Sequence, residues 1–363
     1  MKCRSQVISF YPITIINDIE IFGYRKGRLC IYNNQNESTE YFCKLNISFF
    51  DFLFFRINIL SRIFRLVNAT GVKSNNNIIF ALKGNVWNFD LVSKKLTHVV
   101  KLTHGSRPLK FILVSENSNF KSGIYFGEYF DNPDMGVVHI YRLTIDKLVL
   151  ETVYSFTSGE INHIHSLVED KPNDCIWILT GDFENAAGIY MARNNFSTVE
   201  LILGGQQDFR SCVACPVADG LLYATDTPFT QNTVRLLNKK NEEWFSTLLF
   251  EINGSVIYGY ENEKYLFIST TVESNGIYRN LIEAVFSRKK GDGIKDYFSY
   301  VYIIDRQTFE YQIIYKVKKD IFPFVLFQFG SIVFPSGCWN RNVIPLFHIA
   351  TEKFNLNTLF LEY

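Results

Sequence analysis

Three features of the sequence predict an all-β protein folded as a β-propeller of seven four-stranded blades, or six if the two chain ends share one. Short apolar runs rich in Ile, Val, Phe and Tyr recur from end to end. Clusters of Gly, Asn, Asp and Ser separate them, as turns require. The runs fall into groups of four with a period of about 45 to 50 residues, the length of one blade.

In chain order, a weaker group covers 9–47 and another 64–104. The next group runs 107–114, 124–130, 137–144 and 150–156. The clearest is 163–170, 175–183, 188–194 and 198–204, and after it come 209–217, 221–227, 233–238 and 243–252. A further group runs 256–261, 265–272, 300–305 and 311–317, and a short last one covers 324–363. The N-terminal strand is expected to pair with the C-terminal group, which removes open sheet edges. Two segments interrupt the pattern. Residues 48–67, "SFFDFLFFRINILSRIFRLV", predict a short inserted helix over about 49–66, with Asp51, Asn58, Ser61, Arg62 and Arg65 on one face and Arg56 out of place. Such a helix packs between blades or, being basic and amphipathic, lies on a membrane surface; packing is the expectation. Residues 275–299, containing "SRKKGDGIKD", predict a long surface loop.

The chain has 363 residues, 47% hydrophobic and 20% charged, with net charge +1. These figures exclude a disordered chain and give no basis for a nucleic-acid partner. One propeller domain over 1–363 is expected. The seven cysteines are odd in number and scattered, so free thiols are expected, including Cys212 and Cys215 of the lone CxxC. The start, "MKCRSQVISFYPITIIND", reads as a first strand rather than a signal peptide, and with reduced thiols a cytoplasmic location is expected. No uncharged apolar run is long enough to span a bilayer.

Within a meander blade, the start of the first strand and the end of the second lie at the same mouth. First-strand starts carry Arg107, His163, His165, Gln207 and Arg210. Second-strand ends carry Glu128, Asp182, Asp226 and Glu273, one acid in each of four successive blades. Repeated acids at turn starts can simply cap backbone amides. With two arginines and a His-x-His pair beside them, they instead predict a polar cleft for a charged or hydroxyl-rich ligand. His-x-His on a strand turns both rings to one side, and Gln207, Asp182 or Asp226 could complete a metal set, but nothing in the spacing demands one and no cofactor is expected.

The blocks "GSRP", "GIYFGEYFDNP", "HIHSLVED…IWILTGD", "GGQQDFR" and "YATDTP", within residues 104–230, resemble the sialidase-like β-propellers with BNR (Asp-box) repeats found among bacterial surface-polysaccharide gene products. The Asp-box pattern, Ser-x-Asp-x-Gly-x-Thr-Trp, is degenerate: "LTIDKLVLETV" keeps Asp146 without the Gly and Trp. The resemblance implies a carbohydrate-active propeller acting on an acidic glycan or sugar conjugate, hydrolase-like or lyase-like. Arg107 and Arg210 would hold a sugar carboxylate through forked hydrogen bonds. Asp182 or Glu128 would be the general acid, and a second carboxylate or His165 the base or nucleophile. In a lyase version a histidine removes the proton beside the carboxylate. Gln207, Asp226 and Glu273 would complete the binding surface. The alternative is a non-catalytic glycan- or protein-binding propeller.

Overall fold

The computed structural model describes residues 6–45, 48–115, 119–183, 185–339 and 341–363. After β1 (Gln6–Ile8) comes a sheet of β2 (Tyr11–Ile15), β3 (Glu20–Arg25), β4 (Arg28–Asn33) and β5 (Ser38–Lys44). Helices α1 (Phe49–Phe54) and α2 (Asn58–Ile63) lead to β6 (Thr70–Ser74), β7 (Asn77–Leu82), β8 (Asn85–Asp90) and β9 (Leu96–Lys101). Next are β10 (Ile112–Val114), β11 (Gly123–Gly127), β12 (Val138–Leu143) and β13 (Leu150–Phe156), then β14 (His163–Asp170), β15 (Cys175–Gly181), β16 (Gly188–Arg193) and β17 (Thr198–Gly204). A 3-10 turn at Gln207–Phe209 precedes β18 (Ser211–Val217), β19 (Gly220–Thr225), β20 (Thr233–Lys240) and β21 (Glu243–Glu251). The chain continues with β22 (Ser255–Glu261), β23 (Tyr265–Thr271), α3 (Leu281–Phe286), β24 (Phe298–Asp305) and β25 (Tyr311–Lys318). It ends with α4 (Phe324–Phe327), β26 (Ser331–Val333), β27 (Val343–Ile349) and β28 (Thr358–Glu362).

These strands make seven four-stranded antiparallel sheets, the blades of a β-propeller. Six blades are consecutive meanders, and the seventh has the order β1-β28-β27-β26, so the N-terminal strand completes the C-terminal sheet as expected. The chain divides into two compact units. One comprises residues 1–68, 228–231 and 253–363, with three blades; the other comprises 69–227 and 232–252, with four.

Burial falls across each blade in the order the side chains dictate. In the β14–β17 blade, "HIHSLVED" and "CIWILTG" are almost wholly buried, whereas "TVELILG" is half-buried or exposed. First and second strands are therefore near-continuous apolar runs, and fourth strands carry the charges. In the four-blade unit, sheet faces interlock through Ile164, Ile176 and Phe156 on one side of this blade and through Trp177, Leu179 and Tyr223 on the other. Trp177 is fully buried, and its indole N–H donates to Asp170 Oδ2 at 2.9 Å. In the three-blade unit the core gathers around Tyr32, Phe267, Val301, Trp339 and Leu359.

The insertions differ from expectation. Residues 48–67 form two short helices, with Ser48 capping the first through the Asp51 N–H. Their faces differ from the expected ones in part: Asn58 and Arg65 are exposed and Phe55, Leu66 and Val67 buried, but Ser61 and Arg62 are also buried, while Phe49, Phe50, Leu53, Ile57, Ile59 and Phe64 are exposed. The cause is a strong polar anchor. Arg62 reaches Asp320 at 2.5 Å and the Phe327 carbonyl, which fixes the inward face. Arg56 lies over the Phe52 ring at 5.0 Å. The 275–299 segment is not all loop: Asn280 accepts from the Glu283 N–H and starts α3. The six described cysteines are free, and Cys3 lies outside the described residues.

Candidate functional site

The β14–β15 pair places the first three groups. His163 pairs with Gly181, so Asp182, one residue beyond β15, emerges beside the histidines. A β-bulge falls at His165, between Ile164 and Ser166. Bulges re-aim side chains, and here the two imidazoles come to 4.9 Å between centroids. Their tautomers follow from the partners. His163 Nδ1 lies 2.9 Å from the Phe130 carbonyl, and His165 Nδ1 lies 2.9 Å from the Ser211 carbonyl. A carbonyl only accepts, so each Nδ1 carries a proton and donates. Each Nε2 then faces Asp182, at 3.6 Å from Oδ2 for His163 and 3.2 Å from Oδ1 for His165.

The next blade supplies the counter-charge. Arg210 Nη2 lies 2.8 Å from Asp182 Oδ1 and 3.5 Å from Asp226 Oδ2, and its Nη1 donates to the Asp182 carbonyl at 3.1 Å. Gln207 Nε2 donates to that same carbonyl at 3.0 Å, and Asn162 Oδ1 accepts from the Asp182 N–H at 3.3 Å. Burial works to raise the Asp182 pKa, but the Arg210 charge, with the two adjacent imidazoles adding to it, outweighs it. The carboxyl is held well below the usual carboxylate range. An acid held ionised in this way cannot donate a proton near neutrality, so Asp182 does not suit the general-acid role that the sequence suggested. The Asp182 side chain is 36% exposed, while those of both histidines and Arg210 are buried. The carboxylate is therefore what solvent meets first.

Arg107 and Glu128 lie in a neighbouring small pocket with His104, Tyr129, Phe126 and Tyr141. Tyr129 links the two places, its ring standing edge-on to His163 at 4.7 Å. Arg107 precedes its strand by five residues instead of starting it, and donates to the Pro108 carbonyl at 3.1 Å. Glu128 accepts from the His139 N–H at 2.9 Å, Tyr141 Oη at 3.1 Å and His104 Nδ1 at 3.1 Å. Glu128 thus does what a loop-capping acid does, and its expected catalytic role finds no support in these contacts. Asp182 and Asp226 make other contacts: their carboxylates face histidine, arginine and a thiol. Glu273 is buried at the end of β23 in the other unit, with its carbonyl accepting from the Gly291 N–H.

Sequence reasoning missed Asn162, Tyr129, His104 and Cys212. Cys212 is more than a packing thiol: it sits at a bulge in β18 and donates to Asp226 Oδ2 at 3.2 Å. Burial pushes its pKa well up, and the Asp226 carboxylate adds to the effect, so it remains a thiol. Its bulge matches that of His165 one blade earlier, a correspondence visible only once strand registers are known. Asn162 had a signal in its place directly before His163.

Two sets of side chains could hold a metal ion: His163, His165 and Asp182, and the fully buried His165, Cys212 and Asp226. The first set fits better. Both its rings have Nδ1 pinned on a carbonyl and Nε2 directed at a carboxylate, the arrangement that orients histidine ligands. Cys212, protonated and donating, is poorly suited to be a ligand.

No protein family's sequence profile matches the chain, and no curated protein matches it in sequence. Its fold is similar to that of an oligogalacturonate lyase in complex with manganese, with TM-score 0.55 and 7% identity over 98% of this chain and 90% of that one. An oligogalacturonate lyase from Vibrio parahaemolyticus gives 0.51 and 8% over 100% and 97%. A chain of the mitotic checkpoint complex gives 0.52 and 9% over 98% and 94%. At these identities the likeness is one of fold, and the same fold serves unrelated roles. The chain is a seven-bladed β-propeller.

Proposed function

We propose that the Asp182 cluster is the reaction centre of a carbohydrate-active propeller that takes a carboxylate-bearing glycan and removes the proton beside that carboxylate, in lyase-type chemistry. The observation that carries this reading is the pair of Nε2 atoms converging on an ionised carboxylate backed by Arg210. Neutralising a sugar carboxylate acidifies the adjacent C–H, and the Nε2 of His165, whose Nδ1 is held on the Ser211 carbonyl, is placed to act as the base. Proton removal there lets the C–O bond one carbon further along break, leaving a conjugated double bond, while the departing oxygen takes up a proton. The hydrolase and sialidase-like version needs one protonated carboxyl, whereas Arg210 holds Asp182 in its charged form. That two of the similar folds are oligogalacturonate lyases agrees with an acidic-glycan substrate.

His163 Nε2 and Asp182 would hold a divalent cation, which would supply positive charge to the sugar carboxylate and leave His165 Nε2 as the base. The buried His163 Nε2 has no hydrogen-bond partner among the described residues, and a ligand atom awaiting an ion would stand in this way. The burial of both histidines favours a second reading: a non-catalytic propeller that recognises an acidic glycan through Asp182 and its surroundings.

The test offers uronic-acid oligosaccharides to the purified protein with and without manganese, following ultraviolet absorbance of the conjugated product and binding by calorimetry. Manganese-dependent product that is lost in Asp182→Asn and His163→Ala, both still folded, supports the lyase reading. Binding without product supports the recognition reading. Neither binding nor product from any acidic glycan overturns both.

A further inference from the structure

Three segments far apart in sequence build one exposed apolar face on the three-blade unit. Helix α2 packs against α4, and α4 packs against α3. Buried Arg62 ties the first two together through Asp320 and the Phe327 carbonyl. The Phe324 N–H donates to the Ser287 carbonyl, tying α4 to the end of α3. Large apolar side chains project from all three: Phe49 is 77% exposed, Phe50 66%, Leu281 79%, Ile282 73%, Phe286 67% and Ile321 66%. Apolar groups exposed this far, on segments linked through α4, mark a candidate interaction site.

The charge at this face is one-sided. Residues 48–67, 277–290 and 318–327 together hold nine Lys and Arg, of which Arg62 and Lys319 are buried, against three Asp and Glu, in a chain with 37 and 36 overall. Glu283 is paired with Arg279 at 2.9 Å, and Asp320 with Arg62 and Lys319. Beside the projecting side chains lies a cavity of about 270 Å³ lined by Arg288, Lys318, Lys319, Tyr297, Phe322 and Phe324, with Asp320 and Glu352 also on its wall. In that cavity Lys318 pairs with Glu352 and Lys319 with Asp320, and Arg288 is the third cation on its wall. Apolar tips with a cationic surround are what an anionic lipid surface meets: tips enter the acyl boundary while cations stay among the headgroups.

We propose that this face docks onto an anionic membrane surface, with Phe49, Phe50, Leu281, Ile282 and Phe286 entering the interface and a lipid phosphate seating by Arg288. Projecting tips on three segments suit a yielding lipid surface better than the flat, well-packed core that a protein partner presents.

The test is flotation of the full chain with phosphatidylcholine vesicles, with and without phosphatidylserine. The expected result is binding only to the anionic vesicles, weakened by salt. Leu281→Ser/Ile282→Ser and Arg288→Glu/Lys289→Glu should each weaken binding at least about tenfold. The substituted side chains are exposed, so thermal unfolding should stay at the wild-type temperature. Binding that survives the serine pair would overturn insertion. No vesicle binding, with light scattering showing dimers that the serine pair abolishes, would assign the face to a second copy. No vesicle binding by a monomeric chain would overturn the proposal as well.

Discussion

Two single residues have consequences that can be measured. A Cβ on Gly181 would stand 2.2 Å from His165 Cε1, and His165 is hemmed in at 2% exposure. Gly181→Ala should push the ring off Asp182. A loss of about 1–3 kcal/mol in denaturant unfolding is expected, together with loss of ligand or manganese binding in the fraction still folded. Wild-type stability and binding would show that the ring has room. His348 offers a pH effect. Burial depresses its pKa from the ordinary 6.5 to about 4, only partly offset by hydrogen bonds. Its Nδ1 lies 3.3 Å from the Asn357 carbonyl, and Tyr315 Oη lies 3.0 Å from its Nε2. Below pH 6.5 the unfolded chain binds a proton that the folded chain refuses. The contribution of this group is therefore fully present above about pH 6.5 and is lost as pH falls toward 4, on the order of 3 kcal/mol. His348→Gln should flatten the pH dependence of unfolding over that window.

At the scale of elements, the inserted helices depend on charge pairing more than on helix propensity. The six-residue α1 and α2 are too short to persist alone. What holds them is Arg62, with Asp320 shared between its guanidinium and the buried Lys319. Asp320→Ala leaves two buried cations uncompensated and should cost about 3–5 kcal/mol. Urea unfolding measures the loss, and proteolysis should cut first within 48–67. The helical prediction for that segment found its location, but its polar face is split, with Asn58 and Arg65 exposed and Ser61 and Arg62 buried. Two residues that look like a solvent face on a helical wheel are buried: Arg62 because its partners lie some 260 residues further along the chain, and Ser61 because its hydroxyl donates to the Phe54 carbonyl of the preceding helix. Glu128 and Asp182 show the same limit. Both are acids ending second strands, yet one caps a backbone amide and the other faces two histidines, a difference set by what the neighbouring loops bring.

At the scale of the whole molecule, the last blade depends on both chain ends. β1 pairs with β28 through Gln6, Val7 and Ile8, covering an edge that would otherwise be open. Deleting residues 1–9 should expose that edge, lower the unfolding temperature by several degrees and promote concentration-dependent aggregation. Light scattering and thermal scans check this; unchanged behaviour would make the pairing dispensable.

The sequence by itself determined the blades. Strand side chains alternate with a period of two, and turn residues mark strand ends, so runs such as 163–170, 150–156 and 198–204 coincide with observed strands. The nearness of His163 and Asp182 followed, since one hairpin joins them; the count stayed at seven or six until the structure showed β1 completing the seventh sheet. Contacts across blades were decided only by the tertiary structure. The bulges at His165 and Cys212, the seating of His165 on the Ser211 carbonyl, Arg210 reaching back to Asp182 and the thiol on Asp226 all depend on register between strands that no local pattern encodes. The physical reason is range. Propensity and periodicity act over a few residues, whereas a site is made by electrostatics and packing among groups that meet only after the chain has folded.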